Sequence, residues 1–112
     1  MTTAAERSFL IPSDGDADAD KLLDARKDPN EVLDYTLDWT QRLNGTEAIT
    51  ASDWTVPVDL TVYGGLQPFT ATTSTVWISG GRPERVYKLT CKVTTDEERV
   101  LEQTLTLTMV ER

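Results

Sequence analysis

From Glu31 onward the apolar residues fall on alternate positions. In EVLDYTLDW, residues 31–39, Leu33, Tyr35, Leu37 and Trp39 face one way, and Asp34, Thr36 and Asp38 face the other. That period of two predicts a strand with one buried face. Asn44-Gly45 is a turn pair. TEAITA, residues 46–51, predicts a short strand and is followed by Trp54, Val56 and Pro57. Leu60 to Tyr63 predicts a weak strand that stops at Gly64-Gly65. TATTSTVWIS, residues 70–79, is extended, and Gly80-Gly81-Arg82-Pro83 turns the chain. In ERVYKLTCKVTT, residues 84–95, Tyr87, Leu89, Cys91 and Val93 alternate with Lys88, Thr90, Lys92 and Thr94. After the turn at Asp96-Glu97-Glu98, Leu101, Leu105, Leu107 and Met109 alternate with Thr104, Thr106 and Thr108, and Gln103 interrupts the apolar face. The last three strands are expected to form a meander. Six or seven short strands at this spacing predict an all-β sandwich. Its core should include Leu33, Tyr35, Leu37, Tyr87, Leu89, Cys91, Val93, Leu105 and Leu107.

Residues 1–28, MTTAAERSFLIPSDGDADADKLLDARKD, have a different character. Asp, Ala and Gly dominate, strand formers are few, and apolar periodicity is missing. The chain therefore divides into an irregular acidic N-terminal arm, residues 1–28, and a sandwich domain, residues 29–112. Within the arm, Asp20 to Arg26 has the makings of one or two helical turns capped by Asp18 or Asp20, too short to stand alone. Two apolar clusters, Phe9-Leu10-Ile11 and Leu22-Leu23, are too small for a core yet large enough to fill pockets on a partner. They are the candidate partner-binding residues, and the arm is expected to dock on a neighbouring protein instead of its own sandwich. The first residues hold an apolar patch of three and no basic lead-in, which argues against a secretory leader.

Length and composition narrow the function. A chain of 112 residues makes one domain. There is no histidine, which removes the commonest general base and the usual zinc ligand. Cys91 is the single cysteine, so no internal disulfide forms; among Tyr87, Leu89 and Val93 it reads as a small buried hydrophobe, not a nucleophile. The net charge is −8, with 12 acids against 5 bases in residues 1–53 and 7 against 6 thereafter. Such a chain is repelled by nucleic acid and by anionic membranes, which points to protein partners. No apolar stretch approaches a membrane span. Gly64-Gly65 and Gly80-Gly81 are isolated pairs, turn chemistry and not a phosphate loop, so no cofactor is expected.

Three features invite a sharper chemistry. Asp14, Asp16, Asp18 and Asp20 are spaced as calcium ligands are, but a calcium loop needs Gly at its sixth position and Glu at its twelfth. From Asp14 those positions hold Ala19 and Ala25, and from Asp16 they hold Lys21 and Lys27. A solvated acidic linker is the better reading, and no metal is assigned. Asp34 and Asp38 share a strand face as a glycosidase pair would, but no insertion builds a cleft around them, and both are expected in solvent. Trp39, Trp54 and Trp77 would bind sugar if they formed an exposed row; each sits in or beside an apolar strand, where core placement is usual. No hydrolase, transferase or redox activity is expected.

Two resemblances add to this reading. GGRPERVYKLTCKVTT, residues 80–95, resembles the turn and penultimate strand of fibronectin type III and immunoglobulin-like domains, with Tyr87 at the place of their alternating tyrosine and Trp39 as candidate core tryptophan. The fold this implies is an immunoglobulin-like β-sandwich of six to eight antiparallel strands. KDPNEVLDYTLDWTQRLNGTEAITASDWTVP, with STVWISGGRPERVYKLTCKVTT later, resembles a family of small bacteriophage virion proteins described as fibre-to-tail adaptors. That resemblance spans roughly residues 27–95. It implies a non-catalytic structural component of the phage virion, made in the host cytoplasm and located in the tail. Its partners would be other virion proteins of tail and fibre, and further copies of itself in a symmetric assembly. The alternatives are a head-decoration or head-tail joining protein and, from a different class, a carbohydrate-binding sandwich module.

Overall fold

The alternation at the first long strand holds in three dimensions, and its inner face anchors the molecule. A computed structural model describes residues 7–13 and 23–111 of the chain. Strand β3 (Leu33–Asp38) runs antiparallel to β6 (Thr73–Gly80), with Leu33 opposite Ile78, Tyr35 opposite Val76 and Leu37 opposite Ser74. In the facing sheet β7 (Val86–Thr95) and β8 (Val100–Met109) form a long hairpin that places Tyr87 opposite Leu107, Leu89 opposite Leu105 and Val93 opposite Leu101. These two inner faces meet to make the core. Tyr35, Leu37, Tyr87, Leu89, Cys91, Val93, Leu105 and Leu107 are all buried, and Leu33 packs against them half-buried.

The remaining strands are β1 (Ser8–Leu10), β2 (Leu23–Lys27), β4 (Ile49–Thr55) and β5 (Leu60–Val62). The first sheet has the order β1-β3-β6-β5 and the second β2-β8-β7-β4. Lettering β3 to β8 as B to G gives B-E-D on one side and C-F-G on the other, the strand order of an immunoglobulin sandwich, with β1 in the place of strand A. Two further features agree. Trp54 lies on the strand-C equivalent β4, buried opposite Cys91. The Tyr87 hydroxyl accepts a hydrogen bond from the Arg82 amide at 3.0 Å and donates one to Asp59 at 3.0 Å. That is the tyrosine corner, which ties the start of strand F to the turn before it. The fold is an immunoglobulin-like β-sandwich, and no α-helix occurs among the described residues.

The structure corrects several expectations. The last three strands do not form a meander: β6 lies in one sheet and β7 in the other, so only β7 and β8 make a hairpin. Gly80 and Gly81 carry the chain between sheets with φ of +86° and +101°. At Gly81 a Cβ would lie 2.5 Å from the Met109 side chain, which leaves room for glycine alone. The strand expected at residues 46–51 begins at Ile49, takes a bulge before Ala51 and continues through Trp54. The sandwich is not wholly antiparallel, because β1 pairs parallel with β3 and β2 parallel with β8. The segment expected to form helical turns is instead strand β2 from Leu23 onward; sheet pairing outweighs the weak helical preference of so short a stretch.

The arm, too, departs from expectation where it is described. β1 and β2 each close one edge of their own sandwich, so these parts are folded onto the chain itself. Ile11 is completely buried in the core, and its amide donates to Asp38 O at 2.9 Å. Phe9 and Leu23 pack half-buried against the same core, and Ala25 is part of it.

Candidate functional site

The five residues expected to grip a partner are not brought to one place. Ile11 faces inward and is spent on the chain's own core, Phe9 and Leu23 lie against that core in different sheets, and Leu10 alone turns outward, 52% exposed. Leu22 lies outside the described residues, as do Asp14, Asp16, Asp18 and Asp20. Among the described residues no cluster of three or more His, Cys, Asp or Glu side chains is placed to hold a metal ion.

Asp34 was a candidate for solvent and is buried. Arg7, at the entry to β1, lies over it: Arg7 Nη2 is 3.2 Å from Asp34 Oδ1, and Nε donates to the Asp34 carbonyl at 3.0 Å. Its neighbour Thr36 is also buried and shares a 2.7 Å hydroxyl contact with Thr75 of β6. Asp38, two residues further on, is half-buried and receives bonds from the amide and hydroxyl of Thr40. One carboxylate is thus held in an ion pair and the other in a turn, with no cleft between them.

The two ends of the sandwich are fixed by separate polar networks. At one end Glu47, in the loop between β3 and β4, is fully buried. It accepts from the Asn44 amide, the Thr95 hydroxyl and the Arg99 guanidinium. Those donors hold its carboxyl at about 2, well below the usual carboxylate range, with the Arg99 hydrogen bond the largest cause and Thr95 and Asn44 adding to it against desolvation. Arg99 also donates to Arg42 O, and Arg42 in turn to Pro12 O, which links the β7–β8 turn to the N-terminal segment.

At the other end Lys27 is buried, and its ammonium donates to the carbonyls of Gly80 at 2.7 Å, Asp28 at 2.8 Å and Pro29 at 3.4 Å. Desolvation lowers its pKa, opposed by the nearby charges of Glu31 and Asp28. Charged residues read as surface in a sequence, so neither Lys27 nor Glu47 announces its burial; Lys27 stands in the alternating register of β2 with Ala25, and that is the one sign.

Trp39 and Trp54 are buried and Trp77 is half-buried, so the exposed row that would suit a sugar ring is not formed. Cys91 is fully buried beside Ser52, and burial pushes its thiol up to about 11, which leaves it protonated and unreactive at neutral pH. The apolar side chains that do reach solvent together are Tyr63, Leu66 and Phe69, on the stretch that prolongs β5 along β6. This cluster carries no alternating pattern and no motif, which is why strand periodicity passes over it.

A family model described as podophage GP4 fiber-tail adaptor protein gp77 matches residues 27–108, from the last residue of β2 almost to the end of β8. No curated protein matches the chain. Among solved structures it is similar to the solution structure of the PKD domain from KIAA 1837 protein, with 14% identity, 81% of each chain covered and a TM-score of 0.47.

Proposed function

The chain belongs to the family of the podophage GP4 fiber-tail adaptor protein gp77, and from that premise we propose that it is a non-catalytic tail adaptor that joins fibres to the tail of a phage particle. The observation that carries this reading is the family match across residues 27–108, which takes in seven of the eight strands wholly or in part and both polar networks. A rigid sandwich with pinned ends suits a joint that transmits load, because its loops are short and tied by side chains such as Arg99 and Lys27. Its chemistry is binding by surface shape and strand edges. The buried, protonated Cys91 and the lack of histidine leave little for covalent or acid-base work. The net charge of −8 favours proteins over nucleic acid or anionic membrane as partners, and several copies would sit around the tail axis.

The test is compositional and structural. Purified particles should contain the chain, and cross-linking with mass spectrometry should join it to one tail and one fibre protein. Particles made without it should keep a tail and lack fibres. Cross-links to capsid protein alone would replace this reading with a head-decoration role.

A further inference from the structure

From Leu60 through Gly81 the sequence contains no Asp, Glu, Lys or Arg, in a chain where such residues make up 27%. The fold gathers this stretch into β5, its continuation and β6, one whole side of the first sheet. The outer edge of that side is open. Gly81 N–H donates to Asp59 O, and the alternation of an antiparallel ladder then turns the Val62 N–H away from β6. Beyond it the chain continues along β6, with Leu66 O and Pro68 O accepting from the amides of Trp77 and Thr75. Tyr63, Leu66 and Phe69 stand on this edge 49%, 45% and 42% exposed.

The other three sheet edges are guarded in ways that sheet proteins use against stray pairing. β1 is only three residues long and is preceded by Arg7. β2 carries Asp24, Arg26 and Lys27. On β4 the Trp54 amide is taken by the Gln67 side chain at 3.0 Å, beside the charge of Asp53. The β5 edge has Pro68 as its one guard. Depletion of charge with exposed aromatic side chains is what distinguishes the centre of a protein interface from ordinary surface.

We propose that the edge formed by residues 60–70 takes up an extended, uncharged segment of a fibre or tail protein as an added strand, a proposal that rests on the adaptor reading above. Strand addition supplies main-chain hydrogen bonds, and Tyr63, Leu66 and Phe69 supply the side-chain contacts that select the segment. The segment must itself be uncharged at the contact, since a charge there would be desolvated with no counter-charge anywhere in residues 60–81. A second copy is the weaker occupant, because each copy brings a net charge of −8 and like-charged bodies keep apart.

The experiment places p-benzoylphenylalanine at position 63, 66 or 69 of the full chain, allows assembly into particles, and identifies the photo-cross-linked peptide. The expected product is an uncharged stretch of a fibre or tail protein. In parallel, Leu66→Lys and Phe69→Lys should melt as the parent does yet enter particles at a level lower by about tenfold or more, whereas Val58→Lys and Val100→Lys should enter normally. Cross-links between two copies of this chain, cross-links to a charged or helical segment, or normal entry of both edge variants would each overturn the proposal. If the edge variants melt early, the photo-cross-linked product alone decides. Particles that contain the chain with the edge uncontacted refute this inference and spare the adaptor reading; particles that lack the chain refute both.

Discussion

Arg7 reaches over strand β1 to Asp34 of β3, with Nη2 3.2 Å from Oδ1 and Nε donating to the carbonyl of the same residue at 3.0 Å. One side chain thus grips both the carboxylate and the backbone of its neighbour strand, and β1 is held at its start as well as by its ladder. Arg7→Met keeps much of the stem and removes the fork. Loss of a hydrogen-bonded charge partner from a nearly buried carboxylate costs about 1.5–3 kcal/mol, which should appear as a lower urea midpoint with an unchanged slope. Asp34→Asn should cost less after Arg7→Met than before it, because the two changes remove the same contact. Additive losses would show that the pair is not coupled.

Glu47 gives the stability of the fold a signature in acid. Its folded-state pKa of about 2 lies below the ordinary 4.5. A group depressed in this way contributes stability that is fully present above pH 4.5, diminishes below it, and is gone once pH falls through 2. Melting temperature should therefore fall between pH 4.5 and 2, and Glu47→Gln should flatten that part of the profile while lowering stability at pH 7. Parallel profiles for parent and variant would mean that Arg99 and Thr95 do not hold the carboxylate in solution.

Much of the fold was legible in the sequence, for a physical reason. Tyr87, Leu89, Cys91 and Val93 alternate because a strand turns every second side chain to the same face, and that face is buried here. Period two says which face is inward, but it does not say which strand lies alongside. Gly80-Gly81 consequently reads as a hairpin turn when it is a crossing between sheets. The strands β1 and β2 were hidden for another reason. Three and five residues are too few for an alternating pattern, and their stability comes from β3 and β8, far along the chain. The burial of Asp34 and Lys27 was hidden because their partners, Arg7 and the carbonyls of Asp28 and Gly80, are set by the tertiary fold. The uncharged stretch from Leu60 to Gly81 was in plain view as an absence of residues, which a search for motifs does not register.

Tyr87→Phe tests the corner between β6 and β7. The change removes one oxygen that accepts from the Arg82 amide and donates to Asp59 Oδ2. Its ring remains to fill the core, so the loss isolates the hydroxyl. Losing a bond to a charged acceptor and leaving an amide unpaired costs about 1.5–3 kcal/mol. The same variant should speed amide exchange at Arg82, measured by NMR, with little change at Leu89 beyond the global loss. A melting temperature within error of the parent would show that water replaces the hydroxyl at no cost.

Ile11 separates a strand that belongs to this sandwich from one held only by a partner. Its side chain is fully buried among core residues, and its amide is bonded to Asp38 O. Leu10, one residue earlier, points out and makes no such contact with the core. In the isolated, dilute protein Ile11→Ala should therefore cost about 2–5 kcal/mol, the range for emptying a fully packed aliphatic site. Leu10→Ala should stay within about 0.5 kcal/mol, as exposed substitutions do. The pair controls for chain entropy, since both changes act on the same short segment. Amide exchange gives the second reading: the Ile11 amide should be protected in a monomer without any partner, because opening it also exposes the core. If Ile11→Ala is neutral and the Ile11 amide exchanges at the rate of an open chain, β1 is not seated in solution. The segment from Arg7 to Ser13 would then be free to dock elsewhere, and Phe9, Leu10 and Ile11 would return as residues that grip a neighbour.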